Sequence, residues 1–216
     1  PMSVETKICG VNSAEAVAAA VTGGARYLGF VFYPPSPRAV TTEQAAALAA
    51  KVGPGCLKVG LFVDPDDATL AEVLGRVPLD LLQLHGSETP RRVAQIRAAF
   101  GVPTMKAIKV ARAEDLEPVA GFAGAADRLL FDAKAPKTMK NALPGGNALS
   151  FDWRLLAGRR WPLPWMLSGG LKPENIREAV EISGARALDV SSGVEERPGV
   201  KSPALIADFL ERSRGL

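Results

Sequence analysis

The strongest constraint on the fold is an alternation that repeats eight times along 216 residues. Short apolar runs rich in β-formers alternate with longer Ala/Leu/Glu/Arg-rich segments whose apolar residues recur at helical spacing. The runs predict strands at Val4–Cys9, Tyr27–Phe32, Leu57–Val63, Leu79–Leu84, Thr104–Val110, Arg128–Asp132, Trp165–Ser168 and Ala187–Val190. The intervening patterns predict helices near 13–23, 42–52, 67–76, 90–99, 114–123, 153–158, 173–183 and 202–213. Strict alternation of this kind requires parallel strands joined by right-handed crossovers. A closed barrel and an open doubly wound sheet both satisfy that requirement. The open sheet usually carries a Gly-rich turn after its first strand. Here that strand ends in Cys9-Gly10-Val11-Asn12, and the chain has no GxGxxG or Walker loop. The expectation is α/β, a single (β/α)8 TIM barrel over residues 1–216, at roughly 27 residues per unit.

Local signals agree with this segmentation. Thr41 with Gln44 forms a capping box, and Lys172-Pro173-Glu174-Asn175 puts Pro173 at a first helical position. Gly23-Gly24, Gly53 and Gly184 are expected to close helices or re-enter strands. Hydrophobic residues at 47% and charged residues at 23% suit a chain with a substantial core rather than a disordered one. Two cysteines build no disulfide framework. With a single histidine and no ligand spacing, the chain is expected to need no metal and no cofactor. The opening segment PMSVETKICG lacks an apolar signal region, and charge, Gly or Pro interrupts every apolar stretch. The chain is therefore expected to avoid membranes and to be cytoplasmic. Pro1 ahead of Met2 takes no part in these readings. The net charge of +3 comes from scattered basic residues, so nucleic acid is not expected as a partner, whereas a small anionic molecule such as a sugar phosphate is. Monomer and homodimer both remain open.

Barrel chemistry sits where strands end and βα loops begin. Read in order, those ends are Cys9, the Tyr33–Arg38 loop, Asp64, His85, Lys109, Asp132, Ser168-Gly169-Gly170 and Ser191-Ser192-Gly193. A thiol, acids, cations and two Gly/Ser turns would thus ring one mouth. The turns follow strands seven and eight, where many barrels bind phosphate through backbone N–H groups. Gly169, Gly170, Ser191, Ser192 and Gly193 are accordingly expected to bind phosphate.

The segments KICG (7–10), GFVFYPPSPR (29–38), QLHG (83–86), FDAK (131–134), FDW (151–153), LSGGLKPENI (167–176) and DVSSGVE (189–195) resemble the signature stretches of phosphoribosylanthranilate isomerases. They run from end to end of the chain in that family's order. The resemblance implies that Cys9 is a general base and Asp132 a general acid. A lone cysteine is more often a small core residue, and its place in KICG reverses that reading. Lys7 shares its strand face, where a cation would favour thiolate. Asp132 ends the apolar run Leu129-Leu130-Phe131, a setting that desolvates a carboxyl. A helix cap or an ion pair to Lys134 is the alternative for it. Arg38, behind Pro34, Pro35 and Pro37, would grip an anthranilate carboxylate. Lys7, His85 and Asp189 complete the expected substrate-binding set, with His85 as a contact and not the base. Cys56 lies at a turn before the third strand, at the opposite end, and reads as structural.

The implied substrate is N-(5-phosphoribosyl)anthranilate, rearranged to 1-(2-carboxyphenylamino)-1-deoxyribulose 5-phosphate in L-tryptophan biosynthesis. Another phosphosugar-processing barrel enzyme and a non-catalytic phosphate-binding barrel are the competing readings. The chain departs from the family pattern in PGGNALS, where Asn147 and Ala148 replace the usual Thr/Ser-Gly, and at Ser202, where Asp is common and a different helix cap is expected.

Overall fold

A computed structural model describes residues 4–136, 138–140 and 142–216; Pro1 and Met2 lie outside them. Eight parallel strands close into a barrel in sequence order. They are β1 (Glu5–Cys9), β2 (Tyr27–Val31), β3 (Leu57–Phe62), β4 (Leu81–Leu84), β5 (Thr104–Val110), β6 (Arg128–Ala133), β7 (Trp165–Leu167) and β8 (Ala187–Val190). Closure comes from β1 pairing with β8 in the register Lys7↔Asp189. The expected strands are all present, most of them shifted by a residue or two at an end, as ladder ends commonly are.

The α-helices are α1 (Ala14–Thr22), α2 (Thr42–Ala49), α3 (Asp67–Leu74), α4 (Pro90–Phe100), α5 (Ile176–Ser183) and α6 (Pro203–Ser213). Capping follows the sequence. The Thr41–Gln44 box is reciprocal, Ser202 accepts from Leu205 N at the start of α6, and Gly184 ends α5 in the left-handed region. Two expected helices differ. The fifth connection is a 3-10 segment, Ala113–Phe122, because Pro118 inside it removes a backbone donor. The sixth is a single 3-10 turn, Trp153–Leu155, which precedes Gly158, Pro162 and Pro164. Pro173 does not open α5, which starts three residues later behind Asn175. Gly53 lies beyond the end of α2, which is closed by Ala50. Between β8 and α6 the chain adds a 3-10 turn, Ser192–Val194, and a short antiparallel hairpin, β9 (Glu195–Arg197) with β10 (Val200–Lys201).

Strand alternation divides the core in two. Ile8, Leu28, Phe30, Leu82, Leu129 and their neighbours pack outward under the helices. Tyr27, Val59, Leu81, Met105, Ala107, Leu130, Met166 and Ala187 form a separate inner plug. One inward position further along, five of the eight units turn polar: Lys7, Gln83, Asp132, Ser168 and Asp189 are all buried. The plug therefore floors a polar layer at the C-terminal end of the barrel, as the packing of such barrels dictates. Gly29 makes room in that layer, since a Cβ there would meet Cys9 Sγ at 3.0 Å and Lys7 Cε at 3.3 Å.

A buried ion pair ties the ends of three strands together. Lys106 on β5 donates to Glu88 Oε2 at 2.7 Å and to the carbonyls of Leu84 and Gly86. Glu88 Oε1 accepts from Asp64 N and Gly86 N. The side chains of Lys106 and Glu88 are 5% and 1% exposed, so removing one partner strands a buried charge. Glu88→Ala is expected to cost about 3–5 kcal/mol, read as a drop in the urea midpoint. Glu88→Ala with Lys106→Met, which leaves no buried charge, should recover part of that loss.

Candidate active site

The polar layer opens into a cavity of roughly 730 Å³, part of it open to solvent, among whose lining residues are Cys9, Arg38, His85, Asp132, Asp189 and Ser192. Gly169, Gly170 and Ser191 also line it. The thiol and carboxyl expected to act together thus face one space. Of the remaining expected site residues, Lys7 lies wholly buried beneath the cavity, and Gly193 serves packing. A Cβ on Gly193 would stand 1.9 Å from Leu171 O, so glycine is what lets the β8 loop lie against the β7 loop. Asp64 and Lys109, also at strand ends, are absent from the lining. Asp64 instead accepts from Ser87 N.

The geometry around Cys9 departs from a simple cation–thiol pair. Lys7 Nζ donates to Asp189 Oδ1 at 2.7 Å, and Ser168 Oγ donates to Asp189 Oδ2 at 3.0 Å. Burial pushes the Cys9 thiol above its ordinary value; Lys7 pulls it down and Asp189 pushes it further up. Lys7 acts in the expected direction and is outweighed. Burial would lower Lys7, but Asp189 and Cys9 more than offset it and raise its pKa. Cys56, at the other end of the barrel, is pushed up to about 11 by burial.

Asp132 has neither of the alternative partners. Lys134 pairs with Asp115 instead, and no helix begins at Asp132. Its Oδ1 accepts from Ala133 N at 2.9 Å, and its Oδ2 lies 3.1 Å from His85 Nε2. The lone histidine therefore touches the candidate acid directly. Its other nitrogen, Nδ1, lies 2.8 Å from Gln83 Nε2.

Arg38 is nearly as tightly engaged. Nε and Nη2 form a fork on Glu195 at 2.7 and 2.9 Å, and Nη2 also donates to Gly146 O. Nη1 stands outside these bonds. Glu195 Oε1 also accepts from Lys201 at 2.8 Å, and Lys201 donates to Ser191 O. Burial raises the Glu195 carboxyl, but Arg38 and Lys201 outweigh it and hold the group below the usual carboxylate range. Burial lowers Lys201. Sequence reasoning missed Glu195, Lys201 and Gln83 as site residues. Glu195 and Gln83 fall inside quoted motifs; Lys201 lies in a hairpin that no periodicity announces. In the β6 loop, Asn147 folds back on Leu143 N and O, and Ala148 adopts φ 55°, the left-handed region a glycine would occupy without strain.

A sequence model described as N-(5'-phosphoribosyl)anthranilate (PRA) isomerase matches residues 6–212. An N-(5'-phosphoribosyl)anthranilate isomerase of Rhodospirillum centenum is 65% identical over 209 residues, covering 97% of both chains. The crystal structure of phosphoribosyl anthranilate isomerase from Thermotoga maritima superimposes with a TM-score of 0.87 at 34% identity, covering 99% of this chain and 100% of that one. A phosphoribosyl anthranilate isomerase in complex with reduced 1-(o-carboxyphenylamino)-1-deoxyribulose 5-phosphate superimposes with a TM-score of 0.84 at 33% identity, covering 99% of this chain and 100% of that one.

The balance of charges around Cys9 is open to test through its alkylation rate by iodoacetamide against pH, in a Cys56→Ser background. Asp189→Asn removes an anion and releases Lys7 toward the sulfur, so the midpoint should move to lower pH. Lys7→Met removes the cation and should move it to higher pH.

Proposed function

Because the chain belongs to the N-(5'-phosphoribosyl)anthranilate isomerase family, we propose that its cavity carries out the aldose-to-ketose rearrangement with Asp132 as acid and Cys9 as base. The chain is an isomerase of L-tryptophan biosynthesis. The finer assignment rests on one observation: Cys9 and Asp132 line the same cavity, together with Arg38 and the turns after β7 and β8.

The substrate, N-(5'-phosphoribosyl)anthranilate, carries an anion at each end. Its phosphate is held by the turns at Gly169-Gly170 and Ser191-Ser192, which supply backbone N–H groups and hydroxyls. Lys201, bonded to Ser191 O, sets the second of these turns. The anthranilate carboxylate meets Arg38, whose Nη1 lies outside the fork to Glu195. Fixing both ends leaves the pentose between acid and base and removes most of the orientational cost of the reaction.

Asp132 gives a proton to the furanose ring oxygen. The C1–O bond breaks as the amine nitrogen supplies its lone pair, giving an iminium. That positive charge acidifies the proton on C2. The Cys9 thiolate removes it, and the C–H electron pair becomes the C1–C2 double bond of an enol-amine. Return of a proton to C1 and loss of the hydroxyl proton on C2 yield the ketose. The elevated thiol pKa makes Cys9 a stronger base once ionised, at the cost of a smaller ionised fraction.

The roles are tested by following loss of substrate fluorescence in Cys9→Ala and Asp132→Asn. Each is expected to lose at least about 10²-fold in kcat, with an unchanged circular dichroism spectrum. Full turnover in either folded variant overturns that residue's role.

A further inference from the structure

Gln83 is fully buried, one inward position below His85 on β4. Its amide nitrogen meets His85 Nδ1, while its amide oxygen, sealed from the surface, has no partner. A neutral imidazole carries a single N–H, so what faces one nitrogen decides what the other can do. With the Gln83 NH2 donating to Nδ1, the ring proton sits on Nε2 and points at Asp132 Oδ2. Asp132 Oδ2 then accepts, with Oδ1 already bonded by Ala133 N–H, so this contact holds no proton that the carboxyl could give.

The loaded arrangement needs one proton more, shared across the 3.1 Å between Nε2 and Oδ2. It is either an imidazolium beside a carboxylate or an Nδ1–H imidazole accepting from a carboxylic acid. Both forms carry a hydrogen on Nδ1, which requires an acceptor. The Gln83 oxygen becomes that acceptor when the amide turns end for end. Nothing bonds the far side of the amide, so neither orientation is pinned and the imidazole alone selects between them.

We propose that Gln83 is a positioning residue for the acid step, supplying through its reversible amide the acceptor that lets the His85–Asp132 pair hold the transferable proton. This deepens the reading of Asp132 as the acid and rests on it. The charged neighbours stay fixed in the comparison that follows. They are Lys109, in register with Asp132 on β5; Asp64 at the end of β3 and the Lys106–Glu88 pair behind the β4 turn; and Cys9, Asp189 and Arg38 across the cavity.

His85 is the single histidine in the chain, so imidazole ¹⁵N resonances report it without assignment. Gln83→Glu installs a permanent acceptor, and the His85 titration midpoint should rise by about one pH unit, the scale of a hydrogen bond to a charged group. Gln83→Met removes the acceptor, and the midpoint should fall while kcat drops more than KM changes. Midpoints that stay put, or that move together in one direction, overturn the proposal. Should Gln83→Glu not fold, the downward movement in Gln83→Met decides alone. The spectra are read without turnover. An active Asp132→Asn variant would therefore defeat the acid assignment, whereas an inactive one with unmoved His85 midpoints would defeat only the role of Gln83.

Discussion

The pairing of β1 with β8 is the contact on which the remainder of the structure leans. It turns a row of eight parallel strands into a ring and leaves no exposed sheet edge. Its register sets Lys7 opposite Asp189, and their side chains meet in the barrel as a fully buried ion pair. A lysine with no exposed surface is tolerated only with such a partner. One register therefore closes the fold and fixes the charges beneath Cys9. A shift by one residue would turn Lys7 and Cys9 outward into the apolar layer under the helices.

The buried charges fall into closed groups. Lys7 answers Asp189, Lys106 answers Glu88, and Glu195 is shared between Arg38 and Lys201. The first joins the first and last strands of the barrel, and the other two each hold a loop at the mouth: the Glu88 pair sets the turn carrying His85, and the Glu195 group sets the turn carrying Ser191. Cys9 and Asp132 stand apart from these pairs. The thiol lies next to a cation already committed elsewhere, and the carboxyl leans on a ring whose charge is variable. Groups with fully matched opposite charges are committed to one another, whereas the thiol and the carboxyl face the cavity with no opposite charge of their own.

Much of this was legible in the chain. Strand positions follow from the apolar runs, and inward parity from period two, so Cys9, Asp132, Ser168 and Asp189 could be assigned to one mouth before any coordinates. The Thr41–Gln44 cap and the Gly184 stop are local chemistry and appear as read. The fifth and sixth connections misled, because Ala/Leu/Glu-rich composition gave a helical pattern in which Pro118 and the later Gly and Pro residues prevailed. The hairpin at 195–201 carried no periodic signal, being strands of three and two residues joined by one turn.

What sequence could not supply is the identity of partners. Lys7 was rightly placed on the face of Cys9, but that its amine is taken by Asp189 depends on barrel closure across 182 residues. Arg38 was placed on a stiff loop, while its engagement by Glu195 depends on a hairpin from the other end of the chain. His85 read as a contact and proves to touch Asp132, 47 residues away. Periodicity and capping are settled within a few residues of backbone, so the chain alone determined its elements and their faces. Burial, ion pairing and the protonation they enforce are properties of distant segments brought together, and only the tertiary structure decided them.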